Sequence, residues 1–170
     1  MILRKLALCL VVMSLAIPAL AQMRGARETA TATVNGKTIT INYGSPSWGG
    51  QDRLAAATTG MVWRLGMNNA TEIETTGDLK VGGTVVKAGK YTLWAKKTGD
   101  NSWILAFHPK TGIWGEPAMT EGYVAEMPLK METAKEHAEK LVISLAAAKN
   151  KVGIKIHWGK AILTGAFEVV

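Results

Sequence analysis

The chain has 170 residues, and its 20 lysine and arginine residues outnumber 13 acidic residues to give a net charge of +7 at pH 7. The lysines are scattered, and no dense basic run alternates with stacking aromatic residues, so the composition argues against nucleic acid as a partner. A chain of this length can bury enough apolar surface to form one domain held together by its core alone.

Residues 1–21 have the order of a secretory signal peptide. Two basic residues near the start precede an apolar run, and small residues at Ala19 and Ala21 end it. We predict cleavage after Ala21, which leaves residues 22–170 as a single domain. The apolar run is shorter than a transmembrane helix usually requires, and no second apolar run follows. We therefore expect no membrane-spanning segment after cleavage.

The only cysteine, Cys9, lies inside the apolar run of the predicted signal peptide. It follows Leu8, where lipid attachment requires a small residue, so we expect no lipid anchor and no disulfide in the mature chain. A protein with such a Sec-type signal is expected in the periplasm or outside the cell.

The first part of the mature chain predicts a β-hairpin. Residues 29–34 and 37–43 alternate in character and flank Asn35-Gly36, two residues that tolerate the positive φ of a tight hairpin turn. The face assigned to the core carries Ile39, Ile41 and Tyr43.

A second hairpin is predicted over residues 61–75, where two alternating runs flank turn-forming residues at 66–70. In the simplest register, Trp63 lies opposite Ile73 and Arg64 opposite Glu72. This pairing puts an apolar pair on one face and an ion pair on the other.

The remaining pattern predicts further short strands, a tight turn at Gly82-Gly83, and a loop or single helical turn over residues 133–140. The predicted strands cover residues 79–86, 89–97, 103–108, 123–131, 141–145, 152–158 and 161–170. About ten short strands with glycine-rich turns indicate an all-β fold, a single antiparallel β-sandwich of jelly-roll-like type. Two long irregular loops, at residues 44–60 and 110–122, interrupt it.

Several motifs in the chain also resemble a known family. They are Tyr43 with Ser45-Pro46, Trp63-Arg64, Gly66, Asn68, Ala70-Thr71, Ala88-Gly89-Lys90-Tyr91, Trp103 and Trp114-Gly115. With these motifs the chain resembles the bacterial exported family known as domain of unknown function 2911 (DUF2911). The resemblance implies a secreted or periplasmic β-rich domain with no established activity. The chain departs from the family at Asn69, where many members carry an acidic residue.

Six residues are candidates for ligand binding: Arg64, Asn68, Arg53, Trp48, Trp114 and Tyr43. The Arg64 guanidinium suits a carboxylate or phosphate ligand, although pairing with Glu72 or Glu74 would instead fix the hairpin. Asn68 suits either a ligand or a left-handed turn. The indoles of Trp48 and Trp114 suit stacking on a sugar, or else closure of one end of the sandwich.

No catalytic motif, metal-ligand spacing or cofactor signature is present in the sequence. His108, His137 and His157 share no ligand spacing. We therefore predict a non-catalytic module that binds a small ligand or a cell-envelope glycan, with protein partners unknown. Two alternatives remain open: a hydrolase or isomerase that uses His108 with Asp52 or Glu116, and a structural envelope protein.

Overall fold

The computed structural model describes residues 27–170, so the predicted signal peptide and its cleavage site lie outside the described residues. The described part contains ten β-strands and no helix, and therefore no helix long and apolar enough to cross a membrane. The strands are β1 (Arg27–Val34), β2 (Lys37–Gly44), β3 (Val62–Trp63), β4 (Thr71–Thr75), β5 (Leu79–Val81), β6 (Thr84–Val86), β7 (Gly89–Gly99), β8 (Ser102–His108), β9 (Ala125–Ala148) and β10 (Lys151–Val169).

All strands belong to one antiparallel sheet with the order β1-β2-β4-β7-β8-β9-β10-β5-β6, and β3 pairs with β7 beside this path. The sheet curls until β1 contacts β9 and β10. Just beyond β2, the Trp48 amide donates to the Glu139 carbonyl (2.8 Å) and the Leu141 amide to the Pro46 carbonyl (3.0 Å). The all-β antiparallel prediction is confirmed, and the strands form a single continuous sheet.

The hairpin predicted over residues 61–75 is wrong. Trp63 in β3 pairs with Ala95 of β7, whereas Ile73 in β4 pairs with Tyr91 of the same strand. Strands β3 and β4 are both antiparallel to β7, so they run in the same direction along one edge of it. Residues 64–70 therefore connect two strands in line, and alternation alone does not distinguish this arrangement from a hairpin.

Residues 133–140, predicted as a loop or single helical turn, lie within the long strand β9. Thr133 pairs with Ala161 and Ala138 pairs with Gly159 of β10. The three strands predicted after residue 140 are instead the end of β9 and the whole of β10. Pairing with a neighbouring strand overrides the weak helical preference of this segment.

The core follows the predicted alternation along the central strands. Ile39 and Ile41 are fully buried, and Leu93 and Ala95 face the same core. Trp94 points to the opposite face of β7, where it packs with Ala70 and Ala106 under side chains from the irregular segment 109–124. This second cluster anchors the segment over the outer face of the sheet, next to the end of β3.

Candidate functional site

A pocket of about 260 Å³ opens where the irregular segment 45–61, the connection 64–70 and the segment 109–124 meet. Its lining contains two arginines, two tryptophans and one glutamate among apolar side chains. The lining residues are Pro46, Arg53, Leu54, Met61, Trp63, Arg64, Gly66, Met67, Glu116 and Trp158.

One wall of the pocket is a tryptophan pair. Trp63 at the end of β3 stacks on Trp158 of β10, with ring centroids 5.8 Å apart and an angle of 11° between the rings. The indole N–H of Trp158 is buried and has no acceptor among the described residues. Because this N–H is buried, Trp158 contributes aromatic area to the wall and not a donor that faces the pocket.

Arg64 supplies the positive charge beside this wall. Its Nη1 lies 3.6 Å from Oε1 of Glu116, and its Nε donates to the Gly66 carbonyl at 3.3 Å. The Arg64 side chain is 23% exposed, whereas the Glu116 side chain is 63% exposed. A guanidinium carries five N–H donors, so most of those on Arg64 are free of partners within residues 27–170.

The backbone that leads Arg64 out of β3 is strained. Leu65, which is fully buried, has a φ of 56°, a conformation that costs a bulky residue about 1–3 kcal/mol. The Thr71 hydroxyl donates to the Leu65 carbonyl at 2.8 Å and helps to hold this conformation. This strain lies next to Arg64, one of the charged residues of the pocket, and strained backbone is commonly found at functional sites.

Of the residues expected at the site, Arg64 and Arg53 both line the pocket. Asn68 does not; it adopts a φ of 63°, and its carbonyl accepts a hydrogen bond from the Gly115 amide at 3.0 Å. The turn interpretation of Asn68 thus accounts for its position. The backbone of its neighbour, Asn69, forms an isolated bridge with Trp114.

Tyr43 does not reach the site. It is 4% exposed, and its hydroxyl accepts a hydrogen bond from the Ile143 amide at 3.1 Å. Trp48 packs edge-on against His137, with ring centroids 4.4 Å apart, and is not part of the pocket lining. Trp114 is 54% exposed and lies outside the lining, two residues before Glu116.

The predicted pair between Arg64 and Glu72 is also wrong. Glu72 accepts a hydrogen bond from the Gly112 amide at 2.6 Å and so fastens the segment 109–124 to β4. Arg64 pairs with Glu116 of that segment instead. The acidic partner comes from a distant part of the chain because β4 runs away from Arg64 and not back alongside it.

The arrangement needed for the catalytic alternative is not formed. His108 Nδ1 accepts a hydrogen bond from the Lys110 amide at 3.0 Å, and its ring packs edge-on against Tyr123. His108 forms no ion pair with Asp52 or Glu116, all three of which lie in the described part of the chain. Residues 27–170 also contain no group of three His, Cys, Asp or Glu side chains suited to a metal ion.

Two residues near the site were not singled out from the sequence. Trp158 was included only as the last residue of the predicted strand 152–158. Arg27 precedes the first predicted strand, which begins at residue 29, yet it donates to the carbonyls of Asn42 (2.8 Å), Asn69 (3.3 Å) and Ala70 (3.3 Å). Burial lowers the pKa of Arg27, and the negative charge of Glu72 opposes this shift. No local signal identifies Arg27, because its partners lie far along the chain.

The fold and the pocket define an all-β protein with an arginine- and tryptophan-lined cleft at one end of a curled sheet. The chain matches, over residues 25–165, the family model described as protein of unknown function (DUF2911), and it belongs to that family. This confirms the resemblance seen in the sequence. Comparisons with curated proteins and with solved structures give no match.

Proposed function

We propose that this protein is a non-catalytic binding module whose pocket holds a small ligand rich in hydrogen-bond acceptors. The observation that supports the proposal is the convergence of Arg53 and Arg64 on the stacked pair Trp63 and Trp158. Charged donors beside an aromatic wall suit a ligand that has both an acceptor group and an apolar or sugar-ring face.

The size and polarity of the pocket narrow the class of ligand. A volume of about 260 Å³ is slightly below the roughly 300–1,000 Å³ typical of pockets for drug-sized ligands. A single sugar unit or an amino acid, free or at the end of a cell-envelope polymer, is of the right size class. The charged side chains that line the pocket are two arginines and one glutamate, and a guanidinium only donates, so the ligand should supply acceptors.

The family motifs support the same location. Pro46, Trp63, Arg64 and Gly66 are among the residues on which the resemblance rests, and all four line the pocket. Gly115, another of them, packs against Arg64 from outside the lining. These motifs are separated in the sequence and meet at one place in the fold, as expected if they serve one site.

A thermal-shift screen tests the proposal. The purified protein would be heated with cell-wall sugars, small carboxylates and inorganic phosphate, alongside Arg64→Gln and the control Lys90→Gln. Lys90 forms an exposed ion pair with Glu74 and does not line the pocket. A bound ligand raises the unfolding midpoint with its concentration, and we expect this in the wild type and the control only. No shift in the wild type would overturn the proposal and favour the structural alternative.

We also propose that the protein acts in the periplasm or outside the cell. The support is the signal-peptide pattern of residues 1–21. Intact-mass measurement on protein recovered from cell fractions tests this directly. A mass that begins at Gln22 in the exported fraction would support the proposal, and full-length protein confined to the cytoplasm would overturn it.

A further inference from the structure

We infer that the ligand of this pocket carries a carboxylate, and that this carboxylate competes with Glu116 for the guanidinium of Arg64. The inference rests on the proposed function and specifies its ligand. In the absence of ligand, Glu116 occupies the position at Arg64 that the ligand carboxylate would take. Glu116 therefore lowers the affinity of the pocket for its ligand.

The two halves of the Arg64–Glu116 pair are held very differently. Arg64 is 23% exposed, its Nε is bound to the Gly66 carbonyl, and its aliphatic stem packs against Gly115. Glu116 is 63% exposed and lies on the irregular segment 109–124. The guanidinium is therefore the fixed half of the pair, and the carboxylate is the half that another anion can replace.

The contact itself is weak. The distance of 3.6 Å between Arg64 Nη1 and Glu116 Oε1 is longer than the roughly 2.7–2.9 Å of a good charge-assisted hydrogen bond. An ion pair with an exposed partner contributes little free energy because solvent screens it. A ligand carboxylate that lies in the plane of the guanidinium would form two short hydrogen bonds instead.

The charge of the lining favours a singly charged ligand. Arg53, Arg64 and Glu116 are the charged residues of the lining, and together they carry a net charge of +1. One carboxylate neutralises this charge, whereas a phosphate dianion would place excess negative charge next to Glu116.

Two sources of the carboxylate fit the tryptophan wall. A sugar acid would place its ring against the wall, and an N-blocked amino acid would place its apolar side chain there. Glucuronate and N-acetylalanine represent these two sources in the test. Glucose, which has no carboxylate, and inorganic phosphate serve as comparisons.

Titrations followed by calorimetry would compare the wild type with Glu116→Gln, Arg64→Gln and Glu121→Gln. Glu121 is an exposed glutamate of the same segment that does not line the pocket, so its variant changes the net charge equally. We expect Glu116→Gln to bind at least one of the two carboxylates about two- to fivefold more tightly than the wild type. Glu121→Gln should bind as the wild type does, and Arg64→Gln should lose binding.

The possible failures separate the two proposals. If a carboxylate binds with dependence on Arg64 and Glu116→Gln binds it no more tightly, competition by Glu116 is overturned and the binding function stands. If phosphate binds more tightly than either carboxylate, the assignment of a carboxylate ligand is overturned and the binding function again stands. If none of the four probes binds in a manner that depends on Arg64, the proposed function and this inference both fail.

Discussion

Gly115 packs directly against the side chain of Arg64. A Cβ atom at position 115 would lie 2.0 Å from Cδ of Arg64 and 2.9 Å from the carbonyl oxygen of Asn68. Both distances are far inside van der Waals contact, so the close approach of the segment 109–124 to the end of β3 requires a glycine. Through this contact, the segment that carries Glu116 also fixes the stem of Arg64.

Gly115→Ala should therefore displace Arg64 from the pocket. We expect ligand affinity to fall roughly tenfold, equivalent to about 1.4 kcal/mol, and stability to fall by about 1–3 kcal/mol through overpacking. The control is Gly153→Ala, because a Cβ at Gly153 meets only the Ala146 carbonyl oxygen, at 3.8 Å. Titration and urea unfolding measure the two effects, and wild-type affinity in Gly115→Ala would contradict the positioning role of the glycine.

Tyr43→Phe should destabilise the protein without weakening ligand binding. The substitution leaves the buried Ile143 amide without the hydroxyl that accepts its hydrogen bond, at a cost of about 1–3 kcal/mol. Tyr91→Phe is the matched control, because the Tyr91 hydroxyl donates to the Lys87 carbonyl at an exposed position. Urea unfolding should show the larger loss at Tyr43. A larger loss of stability in Tyr91→Phe, or weaker ligand binding in Tyr43→Phe, would contradict a purely structural role of the Tyr43 hydroxyl.

At most buried positions an alanine variant is more stable than a glycine variant, and at Leu65 we expect the reverse. Leu65→Ala loses core packing and keeps the positive φ, whereas Leu65→Gly adopts that φ without strain. We expect Leu65→Gly to be about 1 kcal/mol more stable than Leu65→Ala. At Leu105, an equally buried residue of β8 without a positive φ, alanine should be the more stable of the two. The same order at both sites in urea unfolding would mean that the strain at Leu65 is negligible.

Asp78 should make stability depend on pH in the acid range. A hydrogen bond from Lys87 is the main cause that lowers the pKa of Asp78, and the Ala88 amide adds to it. A carboxylate with a depressed pKa contributes its full stability above the unfolded-state pKa of about 3.9. That contribution is lost as the pH falls through the folded-state pKa.

Asp78→Asn should therefore lose less stability than the wild type between pH 6 and pH 2.5 in urea unfolding. Lys87→Met should remove part of the same pH dependence, because it takes away the main cause of the lowered pKa. If the wild type and Asp78→Asn lose the same stability over this pH range, the contact between Asp78 and Lys87 does not contribute to the pH dependence.

The sequence predicted the parts of the fold that depend on local pattern. Alternation assigned Ile39 and Ile41 to the core, and Asn35 and Gly36 form the predicted turn with φ values of 49° and 72°. These features follow from the period of two in a strand and from the φ that a tight hairpin requires. They involve neighbours in the chain, so the sequence carries the information directly.

Pairing between distant segments was decided only by the tertiary structure. Trp63 has the alternation of a strand whether it pairs with Ile73 or, as in the structure, with Ala95. Alternation specifies which face of a strand is buried, and it does not specify which strand lies beside it. Residues 66–70, which belong to the connection 64–70, were therefore interpreted as a hairpin turn.

The same division applies to the candidate site. The sequence identified Arg64 and Arg53 by residue type, because a guanidinium is the natural partner of an acidic ligand. It did not identify Trp158 as the wall of the pocket or Glu116 as the partner of Arg64. Those contacts exist because the sheet curls and the segment 109–124 packs over its outer face. The curl of the sheet and the packing of this segment both depend on the burial of many side chains from distant parts of the chain. A local sequence pattern therefore does not predict them.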